Sequence, residues 1–413
     1  MVTTRDRVNP KAAFALVLSG TVLGIAGTDL ILPAVPGLPL ALGGTAAKAQ
    51  LILAAFVAGA GLGLLLFGEL GARYDQPRLL VLSLAAYGGI SAVAGQAGSL
   101  DALIGLRFLQ GASGAAAAVF APGLIRAAFP PDKAVRALGL LGSIESIVPA
   151  LAPVAGLGLL HLWGWRSAFD VIAILALLLA LVVAGMRDHF PRPARATRTG
   201  GYGALLRDPV FLRYALSQAF TLGSLLTFVF GAPVVITASL GGTLIDFVIM
   251  QVSGILFFAV AANYASKLAA RFGTERMILI GSALSAAGTL GLLVYALAGG
   301  GWPTMLAILF VPVNLGLGLR GPPGFMQAVL ASHGDDARGS ALVILFILLV
   351  TAGGTAAAAP FIMSGLPALA GFAAGISVAS LLCLLAMPKL QAGSSAAETV
   401  SSIQPPPNTR SPS

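Results

Sequence analysis

Charge is what this 413-residue chain lacks: 9% of its residues are charged and 57% are hydrophobic. A domain facing water carries roughly a quarter charged residues. So few charges cannot cover a water-exposed surface, and lipid must be the solvent for most of the chain. Cysteine is nearly absent. The single Cys383 excludes an intrachain disulfide and a cysteine-based metal site. The three histidines, His161, His189 and His333, are far apart, so no metal site is expected. No phosphate-binding glycine loop is present, and no His, Cys or paired-carboxylate cluster has catalytic spacing. An enzyme, a cofactor-dependent activity and a self-contained ATP-driven motor are therefore not expected.

What is present is a succession of apolar runs. A helix crossing the hydrocarbon core needs about 20 apolar residues. That length places spans near 12–34, 47–68, 78–98, 101–125, 135–160 and 166–187, and again near 211–236, 243–266, 276–298, 303–328, 338–361 and 366–388. The first run is longer than the apolar stretch of a secretory leader and reads as a retained helix. The abundant glycine, 52 residues, suits close helix approach in lipid. The expected fold is all-α membrane, with 12 transmembrane helices.

The net charge of +9 sits mostly in the short gaps between these runs. Such placement speaks for membrane orientation and against nucleic-acid binding. With a cytoplasmic N-terminus, twenty of the 24 basic residues fall on the cytoplasmic side, and only Lys48, Arg107, Arg166 and Arg320 do not. The alternation predicts an even number of spans, both termini cytoplasmic, in a cell (inner) membrane. Leu70-Gly-Ala-Arg-Tyr-Asp-Gln-Pro-Arg78 has a counterpart in Leu268-Ala-Ala-Arg-Phe-Gly-Thr-Glu-Arg276. Arg73 matches Arg271 and Arg78 matches Arg276, each 198 residues later. This internal repeat predicts two pseudo-symmetric six-helix bundles. The expected division is a bundle over 1–190, a cytoplasmic linker over 191–210, a second bundle over 211–390 and a disordered tail over 391–413.

The same loop, Gly68-Glu-Leu-Gly-Ala-Arg73-Tyr-Asp-Gln-Pro-Arg78, resembles the signature between spans two and three of the major facilitator superfamily. The family's usual Asp is Ala72 here, and its second Gly is Asp75. The resemblance implies that arginines at this loop pair with acidic groups to hold one closed state, with Asp75 as a substitute partner. Three further stretches resemble the bicyclomycin-resistance-type drug:proton antiporters. They are Gly27-Thr-Asp29-Leu-Ile-Leu-Pro33-Ala-Val-Pro36, Arg107-Phe-Leu-Gln110-Gly111, and Pro149-Ala-Leu-Ala-Pro153-Val-Ala-Gly156 followed by Trp165-Arg166 and Phe169. Gly231-Ala-Pro233 also fits. The resemblance implies the superfamily's fold and proton-coupled efflux.

Ionisable residues inside spans are costly, about 2.5–3.5 kcal/mol each on insertion scales, and call for an explanation. Asp29 and Arg107 fall in a similar outer layer, roughly 25 Å and 9 Å along their respective helices. Asp29 is either a proton or cationic-substrate site or a structural polar contact. Arg107 is either part of a proton relay or a static tie to backbone or Asp29. Glu145, near mid-membrane, is a second protonatable group, a cation site or an interhelical hydrogen bond. Arg320 either snorkels to the cytoplasmic surface or joins a cavity. Gln110, Gln218, Gln251 and Asn314 are helix glue or cavity lining, and Phe228 is a further cavity candidate beside lipid-facing alternatives.

For gating, Arg73, Asp75, Arg78 and Arg271 are the loop candidates. Pro149 and Pro153 loosen the fifth helix, and Gly139, Gly142, Gly156 and Gly158 are expected to let it pack closely on a neighbour. The reading is a secondary active transporter working by alternating access. Its expected substrates are small amphipathic or cationic compounds, with protons as the driving partner and a monomer in the lipid bilayer. The alternative is a specific exporter or importer of a sugar, amino acid or siderophore with the same fold.

Overall fold

The computed structural model describes residues 9–191 and 202–390. Half of the expected linker, residues 192–201, and all of the expected tail lie outside them. Among the described residues the chain is helical, without strands. Twelve helices are long and apolar enough to cross a membrane: Pro10–Leu42, Ala46–Arg73, Gln76–Gly95, Leu100–Ala128, Arg136–Trp163, Arg166–His189, Pro209–Ala238, Leu244–Phe272, Thr274–Leu297, Pro303–Leu330, Arg338–Ser364 and Leu366–Ala386. They are called spans 1 to 12 below. The face where span 1 begins is called proximal, and the face where it ends distal.

Span 1 runs eight residues past its expected end because Pro33 and Pro36 turn its continuation into a 3-10 segment, Leu32–Gly37, rather than ending it. The repeat seen in one loop extends to the helix starts. Ala46 and Leu244 open the second span of each half, and Gln76 and Thr274 the third, each pair 198 residues apart. The caps repeat too. Thr45 and Thr243 both cap their helices, accepting from the backbone N–H of Lys48 and of Asp246. Spans 1 and 7 both open on an Asx cap followed by proline, Asn9-Pro10 and Asp208-Pro209. Such caps satisfy orphan N–H groups at helix starts.

Spans 1 to 6 pack mainly among themselves, as do spans 7 to 12. The two groups meet along span 2 with span 11 and span 5 with span 8. The apolar core shows how they meet. On the distal side it is one body that draws on both halves, from Leu30, Ile52, Leu103, Val148 and Phe169 to Phe228, Phe247, Phe310 and Leu369. On the proximal side it divides. One cluster, with Val17, Leu84, Phe120 and Leu141, belongs to the first half, and the other, with Phe211, Tyr214, Ala328 and Val343, to the second. The buried apolar core is therefore continuous between the halves distally and divided between them proximally. The 3-10 turn of span 1 lies against spans 5 and 7, and that of span 11, Ala359–Ser364, against span 2, which completes the distal closure.

Three expectations change here. Arg320 does not snorkel: it is fully buried. Arg213, counted among the surface basic residues, is also buried, at 1% exposure. Of the four glycines of span 5, only Gly156 makes a close approach; Gly139, Gly142 and Gly158 face open space.

Candidate functional site

The first group of buried polar residues is built around Arg107. Gly111, one turn further along span 4, allows it. A Cβ there would fall 1.9 Å from the Phe56 carbonyl oxygen, so only glycine lets span 4 lie this close to span 2. Arg107 then reaches across its neighbours. It donates through Nη1 to the Gly27 carbonyl at 2.9 Å and to Gln110 Oε1 at 2.7 Å, and through Nε to the Ile52 carbonyl at 3.4 Å. Its guanidinium lies 4.1 Å from the centre of the Phe56 ring. Gln110 passes the network on, donating to Ser91 Oγ at 2.7 Å, and Ser91 donates to the Tyr87 carbonyl at 2.6 Å. Tyr87 OH donates back to span 1 at Leu23 O, 3.2 Å away. Spans 1, 2, 3 and 4 are thus tied through one cation.

Asp29 stands two residues beyond the Gly27 anchor. It is 7% exposed and forms no hydrogen bond or ion pair among the described residues. Arg107 Nη2 is likewise buried with no partner. A carboxyl and a guanidinium N–H in one distal layer are therefore both without a partner among the described residues. Each costs free energy so long as it is left unpaired.

The second half carries a related arrangement at another depth. Arg320 of span 10 binds span 7, donating to Ser217 O at 2.5 Å, Thr221 Oγ1 at 2.7 Å and Ser217 Oγ at 3.1 Å. Ser380 of span 12 closes the knot, donating to Ser217 O at 2.9 Å. Beside it Gln218, 6% exposed, leaves Oε1 without a partner. In each half a buried arginine on the fourth helix ties that helix to the backbone of the first.

The remaining candidates sort by level. Thr21 of span 1, Glu145 of span 5, Gln218 of span 7 and Arg320 of span 10 each lie between a residue of the shared distal core and one of a separate proximal core. They occupy the level at which the core divides. Asp29, Arg107, Asn314, Gln251 and Phe228 lie distal to it. Phe228 stacks on Phe310 with centroids 5.3 Å apart inside the shared core. Asn314 donates to Phe310 O in its own helix, 3.0 Å away, and a Cβ on Gly254 of span 8 would meet its side chain.

Pro149 and Pro153 have a geometric consequence beyond softening the helix. Proline lacks an N–H, so Pro153 leaves the carbonyl of Pro149 without its helical donor. Gln251 of span 8 donates to that carbonyl at 3.4 Å, a hydrogen bond between the two halves. Gly156, a turn later, packs where a Cβ would fall 2.2 Å from the Leu30 carbonyl oxygen, directly after Asp29.

The loop candidates sit at the proximal surface. Arg73 pairs with Glu69 of its own helix at 3.4 Å, and Arg78 with Asp75 at 3.7 Å. Arg271 lies 5.3 Å from the centre of the Phe272 ring. A cluster that the sequence did not reveal lies at the proximal end of the second half. Arg213 donates to the carbonyls of Leu384 and Met387, the latter at 2.7 Å, and pairs with Glu275 at 2.8 Å. Tyr214 donates to Glu275 and accepts from the Leu390 backbone N–H at 3.1 Å. Positive-inside counting treats Arg213 as one more loop cation and carries no signal of this clasp.

No group of three or more His, Cys, Asp or Glu residues among the described residues could hold a metal ion. A distal rim cavity of about 320 Å³, bounded by residues such as Pro33, Pro36, Trp165 and Thr237, contains no titratable side chain.

Twelve spans in two joined halves, with buried polar groups at the level where the core divides, define a polytopic membrane transporter that works within a lipid bilayer on a small molecule. The chain belongs to the Major Facilitator Superfamily, whose family model matches residues 17–358. It is 29% identical over 284 residues to a chloramphenicol resistance protein of Pseudomonas aeruginosa, a match covering 67% of each chain. It is 24% identical over 310 residues to a bicyclomycin resistance protein homolog of Haemophilus influenzae, covering 73% of this chain and 78% of the relative. The fold also superposes on the crystal structure of an auto-inhibited POT family peptide transporter with a TM-score of 0.66, over 97% of this chain and 99% of the other, at 13% identity.

Proposed function

We propose that this protein is a proton-coupled exporter of small amphipathic or cationic compounds, with Asp29 as the proton-carrying group. The observation that carries the reading is the buried Asp29 carboxyl, 7% exposed and without a hydrogen-bond or ion-pair partner among the described residues. A buried carboxyl with no fixed counter-ion is stable when protonated. It ionises when water or a cation reaches it. Alternating access supplies that change. When the distal side opens, Asp29 takes up a proton from outside. When the proximal side opens, the proton leaves inward and substrate loads. The named activities of the resistance-protein relatives agree with this direction.

In this reading the proximal face is cytoplasmic, the membrane is the inner membrane, both termini are inside, and one chain suffices. The six-helix units 1–190 and 211–390 rock about the seams of span 2 with span 11 and span 5 with span 8. Arg73, Asp75, Arg78 and Arg271 serve the proximal closure.

The test is accumulation of a fluorescent substrate in everted vesicles under an imposed pH gradient, for the native chain and for Asp29→Asn. Gradient-driven accumulation should vanish in the variant while substrate binding persists. Normal accumulation by Asp29→Asn would refute the coupling role.

A further inference from the structure

We infer that Glu145 and Thr21 form a recognition site for a protonated amine of the transported compound. This inference rests on the exporter reading and adds to it a specific chemical requirement on the substrate.

Glu145 does not face lipid. Leu141, Val148, Ala152 and Gly156 are all buried, and they fall on one stripe of span 5 at helical spacing. Glu145 lies on that stripe, half-buried, one turn from Leu141 and one from Val148. The stripe is turned to span 1, because Gly156 meets Leu30, and it brings Glu145 to the level of Thr21. Leu141 belongs to the proximal core of the first half and Val148 to the shared distal core. Glu145 therefore sits at the level where the shared core gives way to the separate core of the first half.

The acceptors there exceed the donors. No cationic residue pairs with Glu145 among the described residues, and Thr21 gives its proton to the Leu18 carbonyl at 3.0 Å. Pro149 has no N–H to give to the carbonyl of Glu145 four residues back. The same residue thus presents carboxylate oxygens and a backbone oxygen stripped of its helical donor. That an oxygen freed in this way recruits an outside donor is seen one turn on, where Gln251 takes the carbonyl freed by Pro153. At the same level of the second half, Arg320 is withdrawn into its bonds with Ser217 and Thr221 and does not supply the missing donor. An ammonium group carries positive charge and several N–H donors, which is what this set of oxygens lacks.

The experiment uses the full-length protein in detergent and in everted vesicles. The probes are an amphipathic aryl-alkylamine and its N-acetyl derivative, alike in size but differing in charge and donors. Binding is measured by equilibrium dialysis for the native chain, Glu145→Gln, Glu145→Asp and Thr21→Val. The native chain should prefer the amine by at least tenfold. Glu145→Gln should remove the preference while changing acetamide affinity less than twofold, and Glu145→Asp should keep part of it. Thr21→Val should weaken amine binding severalfold. The site is refuted if the native chain shows no amine preference, or if Glu145→Gln weakens both probes equally. It is also refuted if the variant keeps the preference and loses only gradient-driven transport, the signature of a proton relay. Amine preference without transport under any pH gradient would instead refute the exporter reading and leave the site standing.

Discussion

Replacing Gly156 with alanine tests the placement of Asp29 through a contact that no charge takes part in. The added Cβ would lie 2.2 Å from the Leu30 carbonyl oxygen and 2.9 Å from its carbon, whereas ordinary contact begins near 3.4 Å. Backbone cannot rotate away as a side chain can, so the end of span 1 must shift by about 1 Å. Overpacking of this kind costs about 1–3 kcal/mol. Asp29 precedes Leu30 directly and moves with it. A misplacement of about 1 Å at a reacting group can lower a rate by up to ~100-fold. The control lies two residues away on the same helix. A Cβ added at Gly158 would have nothing within 4 Å, so Gly158→Ala meets no neighbour and gains helix propensity, about 0.5–1 kcal/mol. The assays are thermal unfolding in detergent and gradient-driven accumulation in everted vesicles. Gly156→Ala should lower both, and Gly158→Ala neither. Equal behaviour of the two variants would show that the Leu30 contact does not position Asp29.

Other perturbations follow from the same contacts. Gln251→Leu removes the hydrogen bond between halves, worth about 0.6 kcal/mol in a membrane, and should shift the distal-closed population by roughly threefold in spin-label distance measurements across the distal face. Arg107→Lys keeps the charge, but a single ammonium cannot reach Gly27, Gln110 and Ile52 together. It should abolish gradient-driven transport and lower the melting temperature, whereas a role limited to charge would leave both near native. Arg213→Met should destabilise the protein by on the order of 2 kcal/mol, since Glu275 loses its cation but stays partly exposed and keeps Tyr214. Adding Glu275→Gln should recover part of that loss in thermal unfolding, and no recovery would show that the ion pair is not the cause.

Solvent and scaffold were legible in the order of residues alone. Charge scarcity required lipid, the length of the apolar runs required helices, and the 198-residue repeat anticipated the matching caps at Thr45 and Thr243. These features are local, set by one helix or one turn, and so are written in order along the chain. Asp29, Arg107, Glu145 and Arg320 were marked in the same way, because a charge in an apolar run is conspicuous whatever its neighbours. What those charges touch was settled by tertiary packing. Asp29 and Arg107 share a layer without forming an ion pair, because Arg107 is engaged with carbonyls from spans 1 and 2, 80 and 55 positions away. Arg320 is buried because span 7 offers Ser217 and Thr221, a match across 103 and 99 residues that no local pattern encodes. The clasp on Arg213 depends on Glu275 and the end of span 12 arriving together. The face of the fifth helix was undecidable from spacing alone, since either side of it could meet lipid. Packing against span 1 turned its stripe inward, and Glu145 lies at the level where the core divides.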